Sequence, residues 1–277
     1  AGARSHIGPR TMSDIYPLLR NPLAETLAAG GLGVALIVQK TLSVDIALAA
    51  KACGCDALSV DLEHSVIPES AAAQICVTAL HAGVTPLVRV PSLEGHYANR
   101  LLDAGALGII APHVGSAEEA RAVVKACKFA PEGERSAAGN WPHVGYRPRE
   151  PKALRAAFNA ATTVVVMLES PEAIERADEI AAVPGVDILH IGTVDLCDAI
   201  GRPAEYGHPE VMACHERVIR ACQRHGKVAG AGGLAHTPAL VQQVVSMGAR
   251  FVTAGVEWDL LMAGVRTRVN SLRELKL

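Results

Sequence analysis

The alternation of short apolar runs with longer stretches of helical period constrains the fold of this sequence more than any other feature. Apolar, β-branched runs recur eight times from residue 34 onward, each followed by apolar residues at helical spacing. The runs lie at about 34–38, 57–61, 86–90, 107–111, 163–168, 187–191, 227–231 and 250–254. Strands that alternate with helices pair in parallel, because each helix returns the chain to the edge where it started. Eight units with no linker between them predict an α/β fold, a single (β/α)8 TIM barrel over residues 23–277.

An open, doubly wound sheet is the alternative fold for such a pattern. The glycines of Gly230-Ala-Gly-Gly233 do not form the glycine-rich turn that opens a helix after the first strand of a dinucleotide-binding sheet. The closed barrel is therefore favoured, and NAD or FAD is not expected. Residues 1–22 are expected to form an N-terminal extension, of which residues 1–11 precede Met12, have no periodicity and resemble a remnant of cloning.

Local patterns indicate where several helices begin and end. Ser116-Ala-Glu-Glu119 matches a capping box, and Ser170-Pro171 places a capping serine before a proline at the first helical position. Glycines stand at the expected helix ends, at positions 54, 83, 105, 226 and 248. The connection over residues 129–151 is unusually long, and we predict that it forms a lid or substrate wall on the face where barrel enzymes carry their active sites.

Charge and composition exclude several classes of partner. The net charge is -2 and the sequence pI is 6.6, with no run of lysines and arginines, which argues against nucleic acid or an anionic membrane. The longest apolar runs are far shorter than the roughly 20 residues that cross a bilayer. The seven cysteines lack paired zinc-type spacing, which favours reduced thiols in a cytoplasmic protein. A small molecule is the expected partner.

Four strand ends carry polar residues that would meet on one rim of the barrel. Asp61 and His64 come at the end of the second strand, and Arg89 comes at the end of the third. Glu169 follows the fifth strand and Asp195 follows the sixth. In a closed parallel barrel the carboxyl ends of all strands converge, so these side chains are expected to surround one opening.

These residue types fit the cleavage of a carbon–carbon bond in a 2-oxo acid. Glu169 and Asp195 offer oxygen ligands to a hard divalent ion such as Mg²⁺ or Mn²⁺, which a 2-oxo acid would chelate. Arg89 would neutralise charge on an enolate oxygen. His64 would move the proton of the departing hydroxyl while Asp61 holds its tautomer. The sequence therefore indicates retro-aldol chemistry.

Other polar residues have structural interpretations beside functional ones. A strand-end carboxylate can pair with a neighbouring arginine for stability alone. His113 is aimed at the rim and is a candidate for substrate contact, whereas Cys197 is interpreted as a buried thiol and His190 as a buried histidine with satisfied hydrogen bonds. No lysine ends a candidate strand, which argues against a Schiff-base mechanism.

Ordered segments over most of the chain resemble the HpcH/HpaI family of metal-dependent class II pyruvate aldolases. The resemblance runs from about Leu23 to Val269 and implies a barrel of the phosphoenolpyruvate/pyruvate type, assembled as a homo-hexamer, often with the last helix exchanged between protomers. It rests on Val60-Asp-Leu-Glu-His64, Pro86-Leu-Val-Arg-Val-Pro91, Arg100-Leu-Leu-Asp-Ala-Gly-Ala106, Phe129-Ala-Pro-Glu-Gly-Glu-Arg135, Leu168-Glu169, Val183-Pro-Gly-Val-Asp187, Ile191-Gly-Thr-Val-Asp-Leu196 and Gly248-Ala-Arg-Phe-Val252. Asp103 matches a rim aspartate of the family with a supporting or interface role.

The resemblance implies a role for each of the rim residues. Glu169 and Asp195 match the metal ligands, with Mg²⁺ or Mn²⁺ expected and Co²⁺ as a further candidate. Arg89 matches the arginine that stabilises the enolate. His64 with Asp61 matches the acid/base pair.

The substrate side of the pocket matches the family less closely. The backbone amides of Val194 and Asp195 match the positions that bind the pyruvate carboxylate. Met167 stands where the family usually has a glutamine, which removes one polar contact to the substrate or the metal water. The usual Gly-Pro-Ala-Asp-Leu reads Gly192-Thr-Val-Asp-Leu196 here, and the usual Arg-Gly-x-Gly-Ser reads Arg135-Ser-Ala-Ala-Gly139.

The leading hypothesis is a divalent-metal-dependent aldolase that cleaves or forms 4-hydroxy-2-oxo acids through a pyruvate enolate, with a 2-oxo acid and an aldehyde as partners. A related alternative is a condensing or decarboxylating enzyme that uses oxaloacetate or another 2-oxo diacid. An alternative of another class is a catalytically weakened protein that binds a 2-oxo acid, which the altered pocket would allow.

Overall fold

Eight parallel strands close into a barrel in sequence order. The computed structural model describes residues 17–147 and 149–275 of the chain. The strands are β1 (Gly33–Val38), β2 (Ala57–Asp61), β3 (Thr85–Arg89), β4 (Gly108–Ala111), β5 (Thr163–Leu168), β6 (Ile188–Gly192), β7 (Val228–Gly232) and β8 (Phe251–Val256). Each strand pairs in parallel with its sequence neighbours, and β8 pairs with β1. The predicted (β/α)8 barrel is therefore confirmed, and the open sheet is excluded.

Helices cover the outside of the barrel. They are α1 (Pro22–Ala28), α2 (Asp45–Ala52), α3 (Glu69–Ala82), α4 (Gly95–Asp103), α5 (Ala117–Cys127), α6 (Pro151–Ala161), α7 (Pro171–Glu175), α8 (Ala177–Ala181), α9 (Thr193–Ala199), α10 (Pro209–His225), α11 (Pro238–Met247) and α12 (Glu257–Arg273). Two single 3-10 turns, Pro17–Leu19 and Pro142–Val144, complete the described structure. No helix in the described part of the chain is long and apolar enough to cross a membrane.

The helix limits follow the local signals in the sequence. The Ser116 hydroxyl accepts a hydrogen bond from the backbone N–H of Glu119 at the start of α5, and Ser170 caps α7 in the same way. Gly83 and Gly226 end α3 and α10 in the left-handed conformation, with φ of 71° and 63°. The eleven residues interpreted as a remnant of cloning lie outside the described part of the chain.

The strands are buried on both faces, which explains why they are continuous apolar runs in the sequence. The inside of the barrel is filled by one apolar cluster: Leu23, Ala35, Ala57, Leu87, Ile110, Val165, Met167, Ile188 and Phe251. Leu23 of α1 belongs to this cluster, so α1 covers the amino-terminal end of the barrel. The carboxyl end is left open for the rim residues.

The long connection over residues 129–151 does not lie on the rim, and the prediction of a lid was wrong. α5 follows β4 and returns the chain to the amino-terminal end of the barrel before this connection begins. There Phe129 and Trp141 pack with Phe158 of α6, and the guanidinium carbon of Arg135 lies 4.5 Å from the centre of the Phe129 ring. The connection therefore closes the end of the barrel opposite to the rim.

Asp103 also lies away from the rim of its own barrel. It ends α4, whose direction is opposite to that of the strands. Its carboxylate accepts hydrogen bonds from Arg135 Nη2 at 2.7 Å and from Trp141 Nε1 at 2.8 Å. The expectation of a rim aspartate is thus wrong for the single protomer, because a helix that returns from the rim carries its last residue to the other end.

Candidate active site

The carboxyl ends of the strands surround a cavity of about 270 Å³. Of the residues predicted from the sequence, it is lined by His64, Arg89, Met167, Val194 and Asp195. Its other lining residues are Ile37, Ser59, Ile110, His190, Gly192, Thr193, Gly232, Gly233, Phe251, Thr253 and Val256. The barrel topology therefore brings together polar residues that are more than a hundred positions apart in the sequence.

Asp61 and Arg89 form a buried ion pair at adjacent strand ends. β2 and β3 pair so that Asp61 lies beside Arg89, whose Nε donates to Asp61 Oδ1 at 2.9 Å while Nη2 contacts Oδ2. Gln39 Nε2 also donates to Asp61 Oδ2, at 2.6 Å. Burial raises the pKa of Asp61, but the hydrogen bonds and charge of Arg89 outweigh it and hold that pKa below its usual value. The pair keeps the guanidinium fixed and charged.

The His64 ring does not join this pair. Asp61 Oδ1 accepts from the backbone N–H of His64 at 3.2 Å, and the nearest charged group to the His64 ring is Glu63, at 3.7 Å. The His64 side chain is 53% exposed and lies at the mouth of the cavity. Among the described residues the structure therefore shows a contact of Asp61 with the His64 backbone but none with its imidazole.

Glu63 is a site residue that the sequence reasoning missed. One of its oxygens, Oε2, lies 3.0 Å from Arg89 Nη1, and the other lies 2.8 Å from His113 Nε2. The available signal was the second acid in Asp61-Leu-Glu-His64, which alternation along an extended segment would have pointed to the same side as Asp61. Glu63 links Arg89 at the end of β3 to His113, which follows the neighbouring strand β4.

His113 follows β4 and holds the carboxylate of Glu169. Its backbone N–H donates to Glu169 Oε2 at 2.8 Å, and its Nδ1 lies 3.0 Å from the same oxygen. His113 has a φ of 54°, a left-handed conformation that is rare for residues other than glycine. Such a conformation persists where surrounding contacts determine it, as the two contacts to Glu169 do here.

Glu169 has one oxygen that no described residue satisfies. Oε1 is buried and has no hydrogen-bond partner among the described residues, whereas Oε2 is held by His113. Burial raises the pKa of Glu169, the His113 contacts oppose this rise, and the nearby charges of Asp195 and Glu63 add to it. A cation between Glu169 and Asp195 would satisfy Oε1 and relieve this repulsion, so the two carboxylates fit a divalent metal ion.

The close approach of β6 to Glu169 requires a glycine. A Cβ atom at Gly192 would lie 2.5 Å from Glu169 Oε1, well inside van der Waals contact. In residues 17–147 and 149–275, no group of three or more His, Cys, Asp or Glu side chains forms a metal site. Oxygens of substrate or water would therefore complete the coordination of an ion held by the two carboxylates.

The first turn of α9 borders the cavity beside these carboxylates. Val194 is exposed, and a Cβ at Gly233 would lie 3.3 Å from the Val194 nitrogen, so the glycine leaves that amide accessible. Met167 is buried on the cavity wall. Cys197 is buried, and burial raises the pKa of its thiol, as expected for a structural residue.

His190 is buried as predicted, but its hydrogen bonds are not satisfied. Nδ1 has no hydrogen-bond partner among the described residues, and the side chain lines the cavity. The interpretation of a satisfied core histidine was therefore wrong. The sequence pattern could not show this, because the residues that surround His190 belong to β7 and β8.

Comparison with known proteins places the chain among aldolases. It is 38% identical to a 4-hydroxy-4-methyl-2-oxoglutarate aldolase of Hapsidospora irregularis over 93% of this chain and 96% of the relative. It is 34% identical to a 2-keto-3-deoxy-L-rhamnonate aldolase of Escherichia coli over 87% of this chain and 88% of the relative. The crystal structure of an HpcH/HpaI aldolase from Desulfitobacterium hafniense has a TM-score of 0.87 and 31% identity, covering 93% of this chain and 98% of that one.

The family comparison agrees with the resemblance drawn from the sequence. The profile described as HpcH/HpaI aldolase/citrate lyase matches residues 41–263, which include β2 to β8 and all of the rim residues that the sequence predicted. The predicted family is therefore confirmed by sequence and by fold. This chain belongs to the HpcH/HpaI aldolase/citrate lyase family.

Proposed function

We propose that the protein is a divalent-metal-dependent aldolase that cleaves or forms 4-hydroxy-2-oxo acids through a pyruvate enolate. The observation that carries the proposal is the buried, unpartnered Oε1 of Glu169, which lies against Gly192 of the cavity wall in a carboxylate that feels the charge of Asp195. The names of both curated relatives agree with an aldolase that acts on 4-hydroxy-2-oxo acids.

Pyruvate is the donor that the relatives' substrates share. Both 4-hydroxy-4-methyl-2-oxoglutarate and 2-keto-3-deoxy-L-rhamnonate carry a 2-oxo group and a 4-hydroxyl, so cleavage between carbons 3 and 4 releases pyruvate from each. The other product differs between them, a second 2-oxo acid in the first case and an aldehyde in the second. We therefore assign pyruvate to the donor position of this chain.

Glu169 and Asp195 are the residues that would hold the metal, with Mg²⁺ or Mn²⁺ as the expected ion and Co²⁺ as a third candidate. When bound, a divalent ion polarises the substrate carbonyl and lowers the cost of the negative charge that develops on its oxygen. Two carboxylate ligands suit hard ions that keep positions open for substrate oxygens.

Arg89 orients the substrate and stabilises negative charge. Its guanidinium is fixed by Asp61 on one side and by Glu63 on the other, so it reaches the cavity without reorganisation. The backbone amides of Val194 and Asp195, at the start of α9, are assigned to the substrate carboxylate. Met167 is assigned to the substrate through its place in the cavity wall. His113 is assigned to the site through Glu169, whose carboxylate it holds.

His64 is assigned to proton transfer at the cavity mouth. In the cleavage direction it takes the proton from the 4-hydroxyl of the substrate, and in the condensation direction it returns that proton to the new alkoxide. Its half-exposed position lets it exchange protons with water between turnovers. Asp61 acts on this step through the His64 backbone and through Arg89, since it is bonded to both.

Assembly into a homo-oligomer, a hexamer by the family resemblance, is part of the proposal. Apolar side chains of α12 are between 39% and 57% exposed in the single protomer: Trp258, Leu260, Leu261, Met262, Val265, Val269 and Leu272. An apolar helix with no covering element marks an interaction surface. A cytoplasmic location is proposed because all seven cysteines are free.

Deuterium exchange into the methyl group of pyruvate tests the proposed function. The protein is stripped of metal with a chelator, and exchange is followed by NMR before and after addition of Mg²⁺, Mn²⁺ or Co²⁺. We expect exchange only with metal, because the ion would stabilise the negative charge of the enolate. No aldehyde is needed, because the enolate forms before an aldehyde reacts. Deuterium that enters the product only when oxaloacetate is the substrate would favour the condensing or decarboxylating alternative. Binding of pyruvate without exchange of its methyl protons would favour a 2-oxo acid binding protein.

A further inference from the structure

The connection after β1 passes beside the buried ion pair of Asp61 and Arg89. Val38 ends β1 and pairs with Val60 of β2, so the next residue on each strand brings Gln39 beside Asp61. The Gln39 side chain makes use of this position, since its Nε2 donates to Asp61 Oδ2 at 2.6 Å. Gln39 therefore connects the end of β1 to the ion pair.

Both oxygens of Asp61 are needed to orient Arg89. The guanidinium donates to Oδ1 through Nε and contacts Oδ2 through Nη2, so its plane is fixed only while the carboxylate keeps its own orientation. Oδ1 also accepts from the backbone N–H groups of Glu63 and His64, at 3.0 and 3.2 Å. Oδ2 accepts from Gln39 instead. The orientation of the arginine therefore depends on a side chain from outside β2 and β3.

Water cannot readily replace this hydrogen bond. Asp61 is fully buried, and the side chain of Arg89 is only 13% exposed. A buried acceptor that loses its donor keeps the cost of its own desolvation. Burial raises the pKa of Asp61, and the hydrogen bond from Gln39 is one of the contacts that lower it. Gln39 thus helps to keep the carboxylate ionised as well as oriented.

A buried carboxylate from the other side of β1 holds the backbone of Gln39. Glu257 is the first residue of α12 and follows β8 directly. Its buried side chain accepts from the backbone N–H groups of Gln39 at 3.0 Å, Lys40 at 2.6 Å and Thr41 at 2.8 Å. Burial raises the pKa of Glu257, but these hydrogen bonds outweigh it and hold that pKa below its usual value. Amides that converge on an anion in this way fix the loop that carries them.

The position of this backbone determines whether Gln39 reaches Asp61. A displacement of the connection by about 1 Å would lengthen the contact between Gln39 Nε2 and Asp61 Oδ2 beyond the range of a hydrogen bond. Such a displacement is what loss of the Glu257 carboxylate would allow. The contacts therefore form a chain from the start of α12 to the Arg89 guanidinium.

We propose that Gln39 and Glu257 are positioning residues of the active site: Glu257 fixes the connection after β1, and Gln39 fixes the carboxylate that orients Arg89. The inference rests on the proposed function, since it concerns the arginine assigned to the charge of the enolate. Neither Gln39 nor Glu257 is among the described residues that line the cavity, so both act on the reaction through Asp61 and Arg89.

Gln39→Met tests the contact with Asp61. Methionine keeps the length of the glutamine side chain and removes its donor. Metal-dependent exchange of the pyruvate methyl protons gives kcat/KM, and titration with Mn²⁺ gives the metal affinity. We expect kcat/KM to fall at least about tenfold while the Mn²⁺ affinity changes by less than about twofold, because the arginine loses its orientation and the metal ligands keep theirs.

Oxalate provides a measurement that does not depend on turnover. It is a planar dianion that resembles the pyruvate enolate in shape and charge. We expect oxalate to bind the Mn²⁺-loaded Gln39→Met protein at least about tenfold more weakly than the unmodified one, because an oriented guanidinium is needed to meet its charge. Gln242→Met is the matched control, since Gln242 Nε2 also donates to a side chain, Ser246, at 3.1 Å on the exposed surface of α11. The control should match the unmodified protein in all three measurements.

A double-mutant cycle tests whether Glu257 acts through Gln39. Glu257→Gln replaces one accepting oxygen with an NH₂ group, which opposes the backbone donors. Alone, it is expected to lower kcat/KM at least about fivefold, whereas in the Gln39→Met protein it should change kcat/KM by less than about twofold. Glu150→Gln is the control, because Glu150 also accepts from two backbone N–H groups, at the exposed start of α6. It should leave kcat/KM unchanged.

The outcomes separate the two parts of the inference. Unchanged kcat/KM and oxalate affinity in Gln39→Met would overturn the role of Gln39, and so would an equal fall in Gln242→Met. Additive losses in the cycle would overturn the link from Glu257 to Gln39. If Glu257→Gln does not fold, Glu257→Asp, which keeps the charge on a shorter side chain, takes its place in the cycle. Absence of metal-dependent exchange in the unmodified protein would instead contradict the proposed function, so the two failures are distinguishable.

Discussion

The two oxygens of the Glu169 carboxylate have different surroundings, and the role that we propose for the residue rests on this difference. Oε2 is held by the backbone and ring of His113, while Oε1 is buried without a partner. Burying an ionised carboxylate without a partner costs several kcal/mol unless a cation shares the site. In the proposed metal site, Oε1 is the oxygen that would contact the ion.

Glu169→Gln is expected to weaken Mn²⁺ binding by more than about a hundredfold, since the neutral amide keeps the shape of the side chain but removes the charge. Isothermal titration with Mn²⁺ measures the affinity, and the thermal transition checks the fold. Glu172→Gln, on the exposed face of α7, is the control and should bind as the unmodified protein does. Equal affinities in the two variants would remove Glu169 from the metal site.

Buried histidines give the protein a predictable pH dependence. Burial lowers the pKa of His143 to about 4, and it lowers those of His190 and His215 to about 3 and about 4. The unfolded chain takes up protons at these positions below pH 6.5, which the folded protein does not do until much lower pH. The three neutral histidines therefore contribute to the free energy of unfolding above pH 6.5, and this contribution is lost as the pH falls toward 4.

His143→Gln is expected to recover about 2 kcal/mol of the stability that is lost between pH 7.5 and pH 5, because one group that must charge on unfolding is removed. Urea unfolding at the two pH values measures the difference. His236→Gln replaces an exposed histidine and should leave the loss unchanged. A loss of the same size in all three proteins would show that His143 does not contribute.

At the scale of single elements, the turn from β6 into α9 determines the geometry of the site. Gly192 ends β6, and its missing side chain is the space that Glu169 occupies. Gly192→Ala is expected to displace the carboxylate and to reduce metal-dependent exchange by more than about tenfold, because even small displacements at a site carry large costs. Circular dichroism should show an intact barrel.

Gly139→Ala is the matched control for this change. Gly139 lies in the connection at the far end of the barrel, where an added Cβ would meet nothing within 4 Å. The Gly139→Ala variant should exchange pyruvate protons at the same rate as the unmodified protein. If both alanine variants keep full activity, the approach of β6 to Glu169 does not control the site.

The sequence predicted the elements better than it predicted their connections. Strand positions were predicted within about two residues, because strands buried on both faces are continuous apolar runs. The connection over residues 129–151 was assigned to the wrong end of the barrel, because loop length alone does not show whether a helix has already returned the chain. Glu63 and His190 were misjudged for a related reason, since their partners come from other strands.

At the scale of the whole molecule, the exposed apolar side chains of α12 are the surface that we assign to the proposed homo-oligomer. Leu261 and Val265 lie one turn apart on this helix, and each is about half exposed. The double change of both residues to Glu is expected to reduce the assembled mass seen by analytical ultracentrifugation, because burying two carboxylates in an interface is costly.

Val66→Glu is the control for this change. Val66 is also an exposed apolar residue, 95% accessible, but it lies in the connection between β2 and α3. It should sediment as the unmodified protein does. If the double variant sediments at the same mass as the unmodified protein, α12 is not used for assembly.

The bare backbone of β7 beside His190 separates two properties that enzymes often keep together. Proton transfer and metal binding are assigned to residues of the rim, whereas the His190 ring on the cavity wall is positioned by Gly230 and Gly232 of β7 and by Phe251 of β8. Replacements at His190 or at the two glycines would therefore change the shape of the cavity without replacing a rim residue. For directed evolution, this part of the cavity wall is a place where the shape of the pocket can be varied separately from the residues assigned to the chemistry.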